Sequence, residues 1–409
     1  MLAGHKTLLG LDIGTTKVAA VLGGRGAGVT LLSAACVPCN GLRRGTVVDV
    51  AETARAVREA VMKAQRMAGV ELEAAWVGVT GQHISCLNAR GEIQIARARR
   101  EITWEDVEKV MGAAVSAVSL PPDRQMIHAI SRGFQVDGEP RVRNPCGLVA
   151  NRLAVETHVV TASRNLIANI VKAVEQAGIE VAELVAEPLA AADAVLTPEE
   201  EELGTLLIDI GGGTTDLALF MEGSIAYTGA VPVGGGNVTH DLAVALGITH
   251  PQAEQVKLTY GACDASPIPE EEQVPAPDEP ERTISRRLAV EVVEARMSET
   301  FTLVAHEMSR LDAGWPPPGG AVLTGGGSLL PGLAGLAEKT LGCRVRLGRP
   351  RVASGPVELL ETPSLATGVG LVFYAHKEAE TQRAEPRRAV QALSVLGRVV
   401  AWVRDLFNS

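Results

Sequence analysis

The stretch Leu9-Gly-Leu-Asp-Ile-Gly-Thr-Thr-Lys-Val18 recurs, with two more glycines, as Leu207-Ile-Asp-Ile-Gly-Gly-Gly-Thr-Thr-Asp-Leu217. Each copy reads as a buried strand, a carboxylate, a glycine turn, two threonines and a second apolar strand. Glycine at Gly14, and at Gly211, Gly212 and Gly213, lets backbone N–H groups approach phosphate oxygens closely. The hydroxyls of Thr15, Thr16, Thr214 and Thr215 add donors, with Lys17 beside the first pair. Asp12 and Asp209 sit where strand meets turn. From there the two carboxylates can hold a hydrated Mg²⁺, which keeps most of its waters and takes one or two carboxylates plus phosphate oxygens. A hairpin serving only as a turn has no need of paired threonines. Two copies facing each other from duplicated halves make a phosphate clamp.

Two further glycine runs lie downstream. Leu323-Thr-Gly-Gly-Gly-Ser-Leu-Leu-Pro331 follows a short apolar strand. Its turn, Gly325, Gly326, Gly327 and Ser328, offers backbone against which a purine and ribose can lie. Gly234, Gly235 and Gly236, followed by Asn237, open a helix. The next helix, 251–260, carries Glu254 and Lys257 on one face at i, i+3. Alone that pair reads as a surface ion pair. Beside a nucleotide it flanks adenine and ribose.

The remaining chain is α/β in texture. Asp49 caps a helix over 50–68 that Gly69 closes, and helices follow at 163–177, about 284–313 and 364–376. Between 83 and 160 the pattern changes to an α+β insertion. It comprises a hairpin around Asn88–Gly91, a helix opened by Thr103 with Asp106 three residues on, and strands Ile127 to Val136 and Leu153 to Thr161. Residues 264–281, with five prolines among acids, read as a solvated loop. Residues 377–388 read as a short charged linker.

Composition narrows the function. In 409 residues, 38 Lys+Arg stand against 48 Asp+Glu, a net charge of -10, with 46 % hydrophobic and 3 % aromatic residues. Global disorder is excluded by the apolar content. An acidic, aromatic-poor chain is a poor nucleic-acid partner. Mean hydropathy is +0.15, yet no run reaches the roughly 18–20 apolar residues of a membrane span. Asp12 interrupts the first apolar run before it can serve as a signal peptide, so a cytoplasmic chain is expected. Of six cysteines only Cys36 and Cys39 have ligand-like spacing. A zinc site needs a second such pair, so ordinary reduced thiols are expected.

Taken together, these residues resemble the actin-like ATPase superfamily, with Glu187-Pro-Leu-Ala-Ala-Ala192 and 362–370 as the connecting stretches. Within it, Gly41-Leu-Arg-Arg-Gly-Thr-Val-Val-Asp49, the 83–160 insertion, Asn144-Pro-Cys-Gly147, Gly235–Asp241 and Ala253–Lys257 are similar to the FtsA family. The likeness covers about 5–375 plus the tail. It implies an α/β, actin-like, ribonuclease H-like duplicated fold of two lobes, with an α+β IC-type insertion and a C-terminal amphipathic helix. By the same likeness subdomain IA comprises 5–82 and 162–196, with a return at 357–376. IC is 83–161, IIA is 197–227 and 314–356, and IIB is 228–313. The linker at 377–388 then leads to the helix at 389–409.

The resemblance implies ATP and Mg²⁺ as cofactors, and Glu187 as the residue that orients an attacking water, with slow hydrolysis at most. It also implies a head-to-tail polymer of the chain through IC and later division proteins as partners. The C-terminal tail of FtsZ is expected on IIB, where Arg286, Arg287 and Arg296 form a basic helix face for an acidic peptide. Three departures stand out. The linker is short, Ile130-Ser131 stands where the family commonly has proline, and the Pro/acidic loop is unusual.

The last twenty residues locate the oiliness. On a helical wheel Leu393, Leu396, Val399, Val400, Trp402, Val403, Leu406 and Phe407 share one half, and polar residues the other. With Arg387 and Arg388 flanking, this pattern fits a helix lying in the interface of an anionic membrane. Docking on the protein's own core is the plainer reading of a terminal helix, but the fold is already complete near residue 376. The second functional reading is a PilM-like pilus-assembly adaptor, which the amphipathic tail disfavours. A sugar or acetate kinase lacks a candidate substrate base, and a chaperone lacks the chain length for a substrate domain.

Overall fold

The computed structural model describes residues 7–25, 28–95, 100–311, 314–352, 354–356 and 361–384. The membrane-facing residues expected at 393–407 lie outside them. In the first lobe β1 (Thr7–Ile13), β2 (Lys17–Arg25) and β3 (Val29–Pro38) form an antiparallel meander. A small hairpin of β4 (Leu42–Arg43) and β5 (Thr46–Val47) leads to α1 (Val50–Ala68), and β6 (Ala74–Val79) then pairs parallel to β1. Helix α1 begins where the Asp49 carboxylate accepts the Glu52 N–H at 2.9 Å, and ends at Gly69 with φ 67°. Both ends match the caps read from sequence. Leu8, Leu9 and Leu11 are all at most 2 % exposed, because α-helices cover both faces of the sheet. Each fully buried side chain of this kind stabilises by about 1.5–3 kcal/mol.

The insertion contains β7 (Ser85–Gln94), β8 (Arg100–Glu101), α2 (Trp104–Ser116), β9 (Arg124–Val136), β10 (Glu139–Val142), β11 (Val149–Ala150) and β12 (Arg152–Ser163). Its main sheet has the order β10-β9-β12-β7. The expected hairpin around Asn88–Gly91 is absent; β7 runs straight through, paired with β12 from Ser85 to Gln94. Gly91 marks a helix crossing, not a turn. A Cβ there would lie 2.3 Å from the Val110 carbonyl oxygen and 2.5 Å from the Ala114 nitrogen of α2.

The chain returns through α3 (Arg164–Gln176), β13 (Glu180–Ala186) and α4 (Glu187–Val195), then α5 (Pro198–Leu203). The second lobe comprises β14 (Thr205–Ile210), β15 (Thr215–Met221), β16 (Ser224–Val231), α6 (Gly235–Leu246), α7 (His250–Tyr260), β17 (Gln273–Ala276), β18 (Glu279–Ser285), α8 (Arg286–Ser309), β19 (Ala321–Thr324), α9 (Leu333–Leu341) and β20 (Val345–Leu347). Helix α10 (Ala366–Ala384) recrosses to the first lobe, packing on α4 and β1.

The two large sheets repeat one topology. The first is β3-β2-β1-β6-β13 and the second β16-β15-β14-β19-β20. In each, three antiparallel strands are followed by two parallel ones. The duplicated stretch in the sequence is thus the visible part of a duplicated five-stranded sheet.

Two segments differ from the sequence reading. Part of the Pro/acidic stretch forms the β17–β18 hairpin; Pro275 is tolerated because this two-stranded sheet is all edge. The last helix also runs on to Ala384, well past residue 376. Lys377 pairs with Asp193 there, and the Trp76 indole N–H donates to Glu378 at 3.1 Å. Tertiary contacts hold a segment whose charge alone suggested a linker.

Candidate functional site

The two glycine hairpins face each other across one cleft. Its cavity of about 680 Å³ is lined by residues of both hairpins and of the two later glycine runs. The turns have the same length and closure. Gly14 N donates to Lys17 O, and Gly211 N to Thr214 O, each at 2.9 Å. Ile13 pairs with Val18 and Ile210 with Thr215. Structurally, then, Thr15 and Thr16 correspond to Gly212 and Gly213, not to the second threonine pair.

That register corrects one expected site residue. Thr215 corresponds to Val18, is fully buried, and donates its hydroxyl to Val233 O at 2.8 Å. It does not line the cleft. Two others are also turned to local structure. Asn237 accepts the Gly234 N–H at 3.1 Å, as a helix-start cap, and Ser328 donates to Gly325 O at 2.7 Å. Asn237, Thr215 and Ser328 are all absent from the cavity lining. Gly14, Thr15, Thr16, Lys17, Gly211, Gly212, Gly213, Thr214, Gly235, Gly236, Glu254, Lys257, Gly325, Gly326 and Gly327 are brought together there, with Asp12, Asp209 and Glu187.

The turns meet nose to nose. A Cβ on Gly212 would lie 2.5 Å from Thr16 Cγ2, and one on Gly213 2.5 Å from Thr15 Oγ1. Gly325, at φ 82°, touches Asp209 closely: its Cβ would lie 2.2 Å from Asp209 Oδ1. Helix α6 starts against the second turn, with Gly235 N and Gly236 N donating to Gly211 O and Gly212 O. Glu254 accepts from Thr239 at 2.5 Å and from Lys257 at 2.7 Å, and Lys257 also reaches Gly235 O at 3.2 Å. This network fixes the wall opposite Gly325.

Carboxyls dominate the floor. Asp12, Glu187 and Asp209, together with Asp216, are all nearly buried. Burial pushes Asp209 up to about 6 despite a 2.8 Å hydrogen bond from Thr367. Burial likewise pushes Asp216 up to about 7, against the Thr80 hydroxyl that donates to it. Burial also raises Asp12, which Lys17 partly offsets. Glu187 is raised well above the carboxylate range by burial and then by Asp12, Asp216 and Asp209. Its Oε1 is buried without a partner. The sequence reading missed Thr80, Asp216, Ser364 and Thr367. Asp216 directly follows the quoted threonines and was legible; the others arrive from distant strand and helix ends. Lys17 donates to the carbonyl of Ser364, so the first turn is tied to the chain entering α10.

The arginines expected on a basic face are engaged within the chain. Arg286 pairs with Glu272 at 2.6 Å, Arg287 with Glu291 at 3.0 Å, and Arg296 with Asp241 and Glu299 at 2.5 Å each. All six cysteines are free thiols, and burial raises both Cys36 and Cys39. That direction is opposite to the depression that activates a thiol.

Two sheets of one topology, each presenting an Asp-Ile-Gly turn to a shared cleft, define a protein of the actin-like ATPase fold. Solved structures agree on the fold. The PilM-PilN type IV pilus biogenesis complex superposes with TM-score 0.64 at 19 % identity, covering 90 % of this chain and 98 % of that one. MreB5 of Spiroplasma citri bound to ADP gives 0.53 at 15 %, covering 93 % and 98 %. The family model for the SHS2 domain inserted in FtsA matches residues 81–161, and that for cell division protein FtsA matches 206–370. Cell division protein FtsA of Pseudomonas aeruginosa is 40 % identical over 374 residues, covering 90 % of this chain and 89 % of its own length. That of Escherichia coli K12 is 33 % identical over 417 residues, covering 98 % and 99 %. The chain belongs to the FtsA family. It is an actin-like protein of the cell-division machinery.

Proposed function

We propose that the chain binds ATP with Mg²⁺ between its lobes, polymerises through the insertion, and tethers FtsZ filaments to the cytoplasmic face of the membrane at the division site. The observation that carries the nucleotide reading is the pair of facing turns. Gly212 and Gly213 let the second turn close on Thr16 and Thr15 of the first, so backbone of both turns lines one cleft, and the buried Glu187 Oε1 there has no partner. Among the described residues no three His, Cys, Asp or Glu side chains converge as a metal-ligating group. Asp12 and Asp209 would therefore hold Mg²⁺ through water and phosphate oxygens, the usual manner for this ion. When bound, the cation supplies the positive charge that four crowded carboxyls lack. The backbone amides of the turns, Thr15, Thr16 and Thr214, and Lys17 would hold phosphates. Glu254 and Lys257 would face ribose and adenine across from Gly325, Gly326 and Gly327. Burial and the neighbouring carboxyls favour the protonated form of Glu187; a cation balancing those neighbours would favour the carboxylate, which could orient a water, with turnover expected below about 1 s⁻¹.

The tether rests on the family and on the sequence pattern of 389–407. Among the described residues no helix is long and apolar enough to cross a membrane; the half-apolar, half-polar pattern of 389–407 is that of a helix lying in the interface. FtsZ-tail binding on α8 requires an acidic peptide to displace the partners of Arg286, Arg287 and Arg296. Flotation with vesicles of anionic phospholipid, Mg-ATP and a labelled FtsZ C-terminal peptide tests the membrane and FtsZ assignments. The full chain is expected to float and carry the peptide. A chain ending at residue 388 is expected to bind peptide but stay in the dense fraction. Equal flotation of both removes the membrane assignment, and a full chain that leaves the peptide behind removes the FtsZ assignment.

A further inference from the structure

The lobes are joined at the cleft floor by Thr80, just past β6, to Asp216 of β15, and by Thr367 of α10 to Asp209 of β14. A second joint lies elsewhere, between the insertion and β16. His158 on β12 and Thr228 on β16 are each 0 % exposed. His158 Nε2 lies 3.0 Å from Thr228 Oγ1, and Nδ1 lies 2.8 Å from Asn88 Oδ1 on β7. The Asn88 amide nitrogen donates to Ala226 O at 3.3 Å, and Thr228 N donates to Cys86 Sγ at 3.3 Å.

These partners assign every proton. Asn88 donates through its nitrogen to Ala226, so its oxygen is the acceptor. His158 Nδ1 must then carry the hydrogen, and Nε2 accepts from the Thr228 hydroxyl. The circuit runs from β16 to β12, on to β7 and back to β16, with no ring nitrogen or amide group left over. With the imidazole neutral the Thr228 hydroxyl donates to Nε2, and burial favours that form, holding His158 down at about 4, with Arg132 adding to the effect.

Beside this circuit the two bodies part. A cavity of about 710 Å³ separates Arg90, Arg132 and Glu156 of the insertion from Glu222, Gly223 and Ser224 of the second lobe. An exposed pair between Arg143 and Glu202 lies at the rim of this cavity. By chain order the insertion belongs to the first lobe, entered from β6 and left into α3. By contact it is also fastened to the edge strand of the second. Strand β16 is itself pinned from the next residue, where the Tyr227 hydroxyl donates to Glu307 of α8 at 2.8 Å.

We propose that His158 is the positioning residue of a second inter-lobe joint, which makes the insertion a brace against cleft opening. The lobes cannot separate as a simple hinge about α4 and α10 while the circuit is intact. Either the circuit breaks, or the insertion follows β16 and tilts on the first lobe. The surface the insertion presents to other molecules is then tied mechanically to the width of the cleft. The inference stands on inter-lobe bonds and needs no bound nucleotide.

Amide hydrogen exchange on the nucleotide-free full chain tests it. Thr228→Val removes the hydroxyl at nearly constant volume and leaves Nε2 unpaired. Exchange is expected to speed about tenfold, the cost of one unsatisfied buried acceptor, at 85–90 and 224–231. It is also expected to speed at the remote cleft turns, 9–18 and 207–217. Thr228→Ser keeps the hydroxyl and is expected to return the cleft turns to within about twofold of the parent. Faster exchange confined to 85–90 and 224–231, with both cleft turns unchanged, overturns the brace and leaves a local packing contact. Asn88→Ala cuts the same circuit on its exposed side. It carries the same expected and overturning results if the valine variant does not fold. Protection of 207–217 by added Mg-ATP is a separate measurement that bears on nucleotide binding alone.

Discussion

The two glycine turns share a length, a closing hydrogen bond and a preceding aspartate, yet they are filled oppositely. The first carries Thr15, Thr16 and Lys17, and the second carries Gly212, Gly213 and Thr214 at the corresponding positions. One strand step further, Ala19 in the first lobe corresponds to Asp216 in the second: Ala19 pairs with Asp12, and Asp216 with Asp209. The difference follows from contact. Each threonine of the first turn lies against a glycine of the second, and two turns bearing side chains could not approach so closely. The duplication persists in the backbone. The side chains have diverged because the copies touch.

The largest expected effect comes from breaking that division of roles. Gly212→Thr places a β-branched side chain where Thr16 Cγ2 already stands 2.5 Å from a built Cβ. Overpacking of this kind costs about 1–3 kcal/mol, so Mg-ATP affinity by titration calorimetry is expected to fall up to about a hundredfold. Thr16→Gly in the same chain exchanges the two fillings and is expected to recover most of the loss. If the double variant is no better than Gly212→Thr, the turns do not answer each other as the geometry indicates.

The recurrence of Asp-Ile-Gly was sufficient to place both sheets, because a buried strand ending in a carboxylate and glycine turn is local information. The equivalence of residues within the turns was not. Aligning threonine on threonine is the natural reading of the letters, and it puts Thr215 in the cleft. Only the pairing of Ile210 with Thr215 shows that residue to be strand. Gly91 was misread for a related reason: a glycine that admits a helix and a glycine that makes a turn look alike in sequence. Ser364 and Thr367 reach the cleft through α10, whose return to the first lobe is a long-range contact with no periodic signature. The α8 arginines were legible as a basic cluster, whereas their pairing with Glu272, Glu291 and Asp241 depends on how the β17–β18 hairpin and α6 pack. The insertion was legible as a change of texture but its fastening to β16 was not.

A smaller effect is expected at the last position of the turns, Lys17 in the first and Thr214 in the second. Lys17 lowers the cost of ionising Asp12 and donates to the Ser364 carbonyl. Lys17→Gln keeps a donor but removes the charge. Nucleotide affinity is expected to fall about tenfold, the scale of a charge-assisted contact to phosphate, and most of the loss is expected to disappear when adenosine replaces ATP. Equal loss for adenosine and ATP would mean that Lys17 acts on cleft shape through Ser364 and not on phosphate.

The smallest effect is a dependence on pH, and its sign distinguishes the buried carboxyls from the buried histidines. Groups raised in the folded chain stabilise it at low pH and cease to do so as pH climbs through their folded values. Asp209 near 6, Asp216 near 7 and Glu187, raised well above the usual carboxylate range by burial and its acidic neighbours, belong to this class. Outside the cleft so does Glu183 near 9, buried first and then hydrogen-bonded to Glu378. His83, His128 and His158, each held near 4 by burial, act in the opposite sense, adding stability as pH rises from about 4 to 6.5. Below about pH 6.5 the two classes oppose each other. Above it the histidines are neutral in both folded and unfolded chains, and only the carboxyls continue to titrate. The nucleotide-free chain is therefore expected to lose a few degrees of Tm, about 2–4 °C per kcal/mol, between pH 6.5 and 8.5 by calorimetry. Mg-ATP is expected to flatten the part owed to the cleft carboxyls that still hold protons above pH 6.5, Asp216 and Glu187, because a bound cation replaces their protons; Asp209, near 6, has already titrated. Glu183→Gln is expected to remove the remainder. A slope that Mg-ATP leaves untouched but Glu183→Gln abolishes would move the titration out of the cleft, to the seat of α10 on β6 and β13.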